Sequence, residues 1–445
     1  MEIAVAFEGD GSGVAELTWG QRDVWDLMRR TGRTMNIGGT MPCVPGETVE
    51  HLAELLRFIM SRHQALRTTI IDGDPPRQQV HASGEASIEL VAAGADPAGT
   101  AEALRVRYQT AHFDPGREWP VRMGVVVDGD RPTHTVLMYY HVIIDGFGID
   151  AIVRDLANLG DPAAPVRGVT PLELAARQRE PGAVRQSEKA RRYWEKQLDR
   201  IKAAGAAGAA SVAGPADPGL GRPRHWEVVC ESPALALAVR AVAARTGLTS
   251  GPILLAAYAV ALARATRMDI AAVQVIVSNR FRAGFGDAAT SLRQFGLVVL
   301  DIEDADAENA GAGFDAIAKR AWAGTLSAYK HGYFDGAGMA DVPEPTAFFN
   351  DRRRGIDDPA AAPPTMDDIA AAREKTGVRW GGREDTYDGT FYLHLEDEPG
   401  RTVYTLWGDT HRYEPAVIER CARDLEAVVI SAANTPPHVP SLKKI

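Results

Sequence analysis

The sequence predicts an α/β protein of two lobes, and three observations carry that expectation. Around residues 136–159 the apolar pattern switches from the period of a strand to that of a helix, with Asp145-Gly146 supplying turn chemistry between them. Between Ala203 and Arg224 the composition shifts to Ala, Gly and Pro with little apolar bulk, which marks a boundary. A chain of 445 residues is too long for one ordinary core and suits two domains of about 200 residues each. The boundaries that follow are a first lobe over 14–202, a linker over 203–224 and a second lobe over 225–435. The two lobes share an order of helices and strands without any internal repeat in sequence.

Taken in order, Leu17 to Trp25 opens the ordered part, with Thr18 as a cap for a helix carrying Val24, Trp25 and Leu27 on one side. Val49, Leu52, Leu56, Ile59 and Met60 mark an amphipathic helix that runs on to Thr68, which places His63 and Arg67 four apart on one helical face. Residues 68–92 alternate as strands, with a turn at Pro75-Pro76. A helix from Thr100 to His112 ends at Asp114-Pro115-Gly116. Val121, Met123, Val125 and Val127 form a strand that pairs, through the Asp128-Gly129-Asp130 turn, with the strand ending at His141. That second strand is therefore expected inside a sheet. Ile149, Ile152, Val153, Leu156 and Leu159 then give the next helix one apolar face against the sheet. A short helix to Gly182 and a longer one from Ala183 to Ile201 lead to the linker.

The second half predicts a strand from His225 to Cys230, a helix from Pro233 to Thr246, and a helix from Pro252 to Arg267 so apolar that it must be buried nearly all round. Strands at 270–277 and 295–300 flank Ser278-Asn279-Arg280-Phe281-Arg282. A helix over 311–330, a strand over 345–350 and an acidic surface segment over 357–376 follow. Two strands at 390–395 and 403–408, a helix from Pro415 to Ala433 and a short tail complete the chain.

Composition bounds the function. Hydrophobic residues make up 45% and charged residues 24%, the balance of a soluble globular protein. Forty-nine basic against fifty-nine acidic residues give a net charge of −10, which excludes nucleic acid and anionic membrane as main partners and disfavours acidic carrier proteins unless a local basic patch receives them. Cys43, Cys230 and Cys421 are odd in number and far apart, with no Cys/His cluster for a metal. They read as buried thiols of a reducing compartment. Residues 1–13 lack the pattern of a secretory signal, and the longest apolar run, Ile253 to Ala263, is well short of the roughly 20 residues of a membrane span. A cytoplasmic monomer is expected.

The stretch that reads as chemistry before packing is Met138-Tyr139-Tyr140-His141-Val142-Ile143-Ile144-Asp145-Gly146. A histidine at a strand end is held rigidly and still reaches a cavity, and its imidazole titrates in the range a general base needs. On spacing alone, a satisfied core or surface histidine is the commoner reading of the same pattern. The segment resembles the His-His-x-x-x-Asp-Gly signature of condensation domains of nonribosomal peptide synthetases, within the chloramphenicol-acetyltransferase-like acyltransferase superfamily. His141 matches the second, catalytic histidine; Asp145 and Gly146 match the rest, and Tyr140 replaces the first histidine. Arg62-His63-Gln64-Ala65-Leu66-Arg67-Thr68 resembles the family's Arg-His-x-x-Leu-Arg-Thr motif. Leu17 to Trp25 and Tyr193-Trp194 to Leu198 match further, weaker motifs.

The resemblance covers residues 14–435 and implies two chloramphenicol-acetyltransferase-like lobes in a V shape with an active-site tunnel between them. It implies His141 as base or as the group that positions the nucleophile, and Asp145 as a loop-holding carboxylate paired with an arginine, Arg280 first and Arg282 second. Gly146 is assigned to close backbone approach, its amide facing the developing oxyanion. His63, Arg67 and Tyr140 are assigned structural roles beside the site. No bound cofactor or metal is implied. The acyl group arrives on the phosphopantetheine arm of an acyl or peptidyl carrier protein acting in trans, or on CoA, and the acceptor is a small-molecule amine or alcohol. Three readings stand open: a free-standing condensation enzyme making an amide or ester, an acyl-CoA-dependent acyltransferase without carrier protein, and a non-catalytic docking domain.

Overall fold

The computed structural model describes residues 1–161, 163–208, 222–302, 310–353 and 362–435. Two compact units emerge: Met1–Glu188 with Ser278–Gln294 and Tyr333–Ala337, and Lys189–Val277 with Phe295–Gly332 and Gly338–Ile445. Most of the expected 203–224 linker, 209–221, lies outside the described residues.

In the first unit five strands form a sheet in the order Glu2–Glu8, Ser83–Ala92, Val121–Asp128, Arg131–Tyr140, Asn36–Pro42. Ser83–Ala92 and Val121–Asp128 run parallel, and the helix Pro97–Thr110 is the crossover that parallel neighbours need. The strand leading to His141 is internal, paired antiparallel on both sides. Its alternate residues serve two cores. Met138 and Val136 pack beneath Leu104 and Tyr108 of the crossover helix, while Tyr139 joins Val5, Leu56, Ile88 and Val125 on the opposite face. A second sheet joins Gly13–Glu16, Arg77–Val80 and Thr68–Ile71.

The second unit is built on a sheet ordered Gln294–Asp301, Ile270–Val277, Ala347–Asp351, Phe391–Glu398, Arg401–Asp409, His225–Ser232, Gly377–Glu384. The helix Ser250–Thr266 packs against the helices Pro233–Thr246, Ala310–His331 and Pro415–Ala433 and against the strand Ile270–Val277. Every residue from Pro252 to Ala263 is buried, as its all-round apolarity predicts. Among the described residues no single helix is long and apolar enough to cross a membrane.

Several expectations need correction. Residues 2–8 and 36–42 are strands, where the sequence pattern predicts no element. Within the expected surface segment over 357–376, residues 357–361 lie outside the described residues and Met366–Arg373 is a helix; the strand Gly377–Glu384 that follows was not anticipated. The helix Val49–Arg62 stops before His63, whose extended backbone caps it, and Gln64–Arg67 form a separate 3-10 turn. His63 and Arg67 therefore do not share a helical face. Cys43 is only half-buried, its Sγ 3.4 Å from Thr135 Oγ1. Val153, read as facing the sheet, is exposed.

Arg67 is fully buried, and its guanidinium donates to the carbonyls of Asp10 at 2.6 Å, Gly11 at 3.1 Å and His81. Burial lowers its pKa, and the three carbonyls replace water at its two terminal nitrogens, while Nε has no hydrogen-bond partner among the described residues. Arg67 pins the loop after the first strand to the second sheet. Replacing it by Met removes three charge-assisted hydrogen bonds to carbonyls of residues that are exposed or half-exposed, each worth about 1.5–3 kcal/mol at most. Arg67→Met is therefore expected to lower the unfolding free energy by a few kcal/mol, seen as a lower urea midpoint at unchanged m-value in equilibrium unfolding against the parent.

Candidate active site

The strand Arg131–Tyr140 ends one residue before His141, whose amide still donates to the Met35 carbonyl at 3.0 Å. The turn is made by His141, Val142 and Ile143, with the Ile143 amide returning to the Tyr140 carbonyl at 3.0 Å. Sequence reasoning put the turn at Asp145-Gly146. Asp145 instead caps the helix Gly146–Asp155, its Oδ1 accepting from the Gly148 amide at 2.8 Å. Val142, Ile143 and Ile144 are all fully buried, so the turn is anchored by its apolar side chains while His141 stays half-buried at its start.

The His141 imidazole sits 2.9 Å from the Ile144 carbonyl through Nδ1. A carbonyl only accepts, so Nδ1 carries the proton and the Nε2 lone pair is the basic site. Among the described residues no group bonds Nε2. Burial, followed by the positive charge of Arg293, pushes the imidazole down to about 4; the Ile144 carbonyl and the Asp145 carboxylate oppose this and lose. The ring is therefore neutral throughout the physiological range.

Asp145 is 3% exposed and its two oxygens collect four donors. Oδ1 takes the Gly148 amide and an Arg280 nitrogen at 2.6 Å; Oδ2 takes the amides of Leu292 at 2.8 Å and Arg293 at 3.1 Å. Arg280 is largely buried; its Nη1 donates to the carbonyls of Phe285 at 3.3 Å and Ala288 at 2.7 Å and its Nη2 also to that of Thr290 at 3.1 Å, while its Nε has no hydrogen-bond partner among the described residues. Asn279, with φ of 58°, supplies the left-handed residue that swings Arg280 inward, a conformation Asn tolerates better than most residues. Its side-chain amide donates to the Leu292 carbonyl at 3.0 Å. Thus 278–294 closes on the helix cap as a loop fastened at both ends.

The structure brings His141, Asp145, Gly146 and Arg280 together. Tyr140 lies beside them in sequence but points into the cluster of Val24, Trp25, Ile70 and Phe113, its ring 5.3 Å from Phe113. Burial raises its hydroxyl pKa well above the ordinary range. His63 reaches the far end of the same helix: with Arg62 it holds Asp155, at 3.1 Å and 2.7 Å, and keeps that carboxyl well below its usual range. Arg67 acts elsewhere, on the second sheet. Arg282 donates to Asn279 Oδ1 at 3.2 Å and lies over the Tyr333 ring. Sequence reasoning missed the Ile144 carbonyl, the amides of Leu292 and Arg293, and the Arg293 side chain. A charged residue immediately before the apolar strand starting at Gln294 was the one available signal.

The family model described as Condensation domain matches residues 14–298. AMB antimetabolite synthetase AmbB of Pseudomonas aeruginosa is 29% identical over 291 residues, covering 62% of this chain and 22% of that protein. The chain spans less than a quarter of the length of such curated relatives, and only 2% of the nonribosomal peptide synthetase kk1B of Curvularia clavata. Among solved structures, the condensation domain of the monacolin K polyketide synthase MokA superposes with a TM-score of 0.70 at 17% identity, over 96% of this chain and 99% of that one. A structure of condensation domain-mediated chain release from the enacyloxin polyketide synthase gives 0.69 at 19% identity, over 98% and 86%. These likenesses establish the fold.

Two glycines of the site helix differ in what surrounds them. A Cβ on Gly148 would lie 2.6 Å from Ile144 Cγ1 and 3.0 Å from the Thr290 carbonyl, whereas one on Gly146 would meet nothing within 4 Å. Gly148→Ala is expected to cost about 1–3 kcal/mol in denaturant unfolding, the usual cost of overpacking, and Gly146→Ala close to nothing.

Proposed function

Because the chain belongs to the condensation domain family, we propose that it joins an acyl group held as a thioester to an amine or alcohol acceptor, forming an amide or ester. The observation that carries this reading is the imidazole of His141, tautomerically fixed by Ile144 so that its unprotonated Nε2 is presented without a protein partner among the described residues. The acceptor's lone pair attacks the thioester carbonyl, and Nε2 takes the proton released as the new C–N or C–O bond forms. Collapse of the tetrahedral intermediate breaks the C–S bond, and the imidazolium returns the proton to the departing thiolate. A free thiol leaves, and His141 is regenerated.

Gly146 is the first residue of the site helix, exposed and with open space beside it. We assign its amide to the oxyanion, since the first N–H groups of a helix have no partner inside it. Asp145 and Arg280 hold the turn. The acyl donor is carried on a phosphopantetheine arm, of an acyl or peptidyl carrier protein or of CoA, and the setting is natural-product biosynthesis.

Magnitudes say how His141 contributes. General-base catalysis supplies about 10²–10⁴ in rate, while aligning two bound reactants supplies roughly 7–11 kcal/mol. An imidazole pushed down to about 4 is a weak base that is always available. Its main contribution is therefore to receive a proton that attack has already made acidic, from a nucleophile it has oriented.

The test is mass-spectrometric detection of coupled product from pantetheinyl, CoA and carrier-bound thioesters with amines and alcohols. A folded His141→Ala variant should fall at least about 100-fold in turnover; product from the parent with unchanged turnover in the variant would overturn the role of His141. The preferred donor separates carrier protein from CoA. Because the neutral imidazole is the active form and is depressed below its ordinary value, turnover should stay level from neutral pH down to roughly pH 5 and fall below it. A limb centred near pH 6.5 would contradict the environment described for His141.

A further inference from the structure

The helix Pro181–Gly208 carries a charge pattern that the reaction does not use. Over 189–202, within the second unit, six residues are basic and two acidic, a local charge of +4 in a chain whose net charge is −10. Ala190, Trp194, Leu198 and Ile201 are buried and form the inner seam of this stretch. The seam is held in place by its neighbours. The Tyr193 hydroxyl donates to the Leu297 carbonyl at 3.0 Å, its ring stacks on His331 at 4.5 Å, and the Trp194 indole donates to the His331 carbonyl at 3.4 Å. Lys189, Arg192 and Lys196 lie nearly opposite the seam, all exposed, and none of the three is ion-paired among the described residues. Arg200, next along the same row, is bound to Asp301. Members of this row follow one another at three or four residues, a spacing at which like charges weaken a helix. A surface of interspersed signs is equally soluble without that cost. Neither the helix's own stability nor solubility accounts for the row.

We propose that Lys189, Arg192 and Lys196 form the docking surface for an acidic carrier protein that brings the acyl thioester. This surface serves the reaction proposed above and rests on that reading. Two proteins of negative net charge repel one another at long range, so their encounter depends on a local patch of opposite sign. The row supplies such a patch on a ridge whose base is fixed by Trp194 and Tyr193. It spans about 10 Å, two helical turns, the length of one exposed face of a small helical partner. Glu195 and Asp199 flank it on the same helix. Those carboxylates oppose a phosphodiester chain or an anionic lipid plane, whose charge is continuous, whereas a folded acidic protein presents discrete carboxylates that meet the three cations singly.

Two triple variants test the surface: Lys189, Arg192 and Lys196 all replaced by Gln, and all three replaced by Glu. Each is assayed as full-length protein with one acyl group presented either on an acyl carrier protein of negative net charge or as its pantetheinyl thioester, the acceptor being the same. The KM for the carrier-bound donor should rise about tenfold or more in the Glu variant and less in the Gln variant, with kcat and the KM for the pantetheinyl thioester unchanged. Added salt should raise that KM in the parent and lower it in the Glu variant, because it screens attraction in one and repulsion in the other. A control of equal charge change, Arg30→Glu with Arg77→Glu and Lys375→Glu at exposed positions on other elements, should leave both donors nearly unaffected. Should the Glu variant fail to fold, the Gln variant decides; relieved of like charges, it should melt no lower than the parent. An unchanged KM for the carrier-bound donor in both triples overturns the docking role and leaves the reaction standing. An equal rise for the pantetheinyl donor, or in the control, does the same, as does a parent that turns over the pantetheinyl donor and not the carrier-bound one. No product from any donor overturns the reaction reading, and the docking role with it.

Discussion

Everything at the site depends on one buried carboxylate having all its acceptor capacity filled. Asp145 lies where water does not reach, and an ionised carboxylate in such a place is tolerable only when donors replace its hydration. Four do so, and they answer three different structural demands. The Gly148 amide is the orphan of a helix start; Arg280 is a charge that must itself be matched; the Leu292 and Arg293 amides belong to a loop that runs into a strand. One carboxylate thus fixes where the helix begins, holds 278–294 to the first compact unit and settles the path of the chain on either side. Ile144, whose carbonyl receives the imidazole of His141, is the residue immediately before it. The ring's orientation is a consequence of the cap.

The electrostatics of His141 follow from the same geometry. A carboxylate four residues away would ordinarily favour imidazolium, and Asp145 does pull in that direction. Burial and Arg293 outweigh it because the charge of Asp145 is already shared among four donors. The result is a histidine that is a poor base by affinity and a reliable one by availability. For the proposed condensation that combination suits an amine acceptor, since a bound amine becomes strongly acidic only once its nitrogen has begun to bond to carbon. In that proposal the burden falls on alignment, and a turn anchored by three buried aliphatic side chains is well made to supply it.

What could be read beforehand divides along a physical line. Strands and helices with a strong period were legible: the site strand with its hairpin partner, the capped helix after Thr18, and the helix Ser250–Thr266 that is apolar on all sides. Segments whose state is decided by their neighbours were not. Asn36–Pro42 carries two glycines and a proline and is a strand because it pairs with residues 134–140. Glu2–Glu8 and Gly377–Glu384 lie at sheet edges and bury few side chains, so little of their sequence is constrained by a core. At the helix break His63 faces Asp155 and Arg67 the carbonyls of Asp10, Gly11 and His81, a divergence that spacing cannot display. At the site the side chains of His141, Asp145 and Arg280 were legible because residue type carries their chemistry. The amides of Leu292 and Arg293 were not, since every residue but proline has one.

The two glycines of the site helix show how a motif can conceal where its constraint lies. The Asp-Gly pair draws attention to Gly146, yet among the described residues, apart from its chain neighbours and the helix's own backbone, no atom comes within 4 Å of the place a Cβ would occupy there. Packing requires glycine two residues later, where the helix presses on Ile144 and Thr290. Gly146 has no positive φ to account for it either. Neither backbone strain nor close packing within the chain therefore explains a glycine at that position. What remains is the space itself: an unencumbered first turn, with an amide that the helix cannot satisfy, opening beside the residue that follows the carboxylate cap. In the proposed oxyanion role, a side chain there would narrow the approach to that amide, and leaving it bare would keep the helix start accessible to the substrate's oxygen.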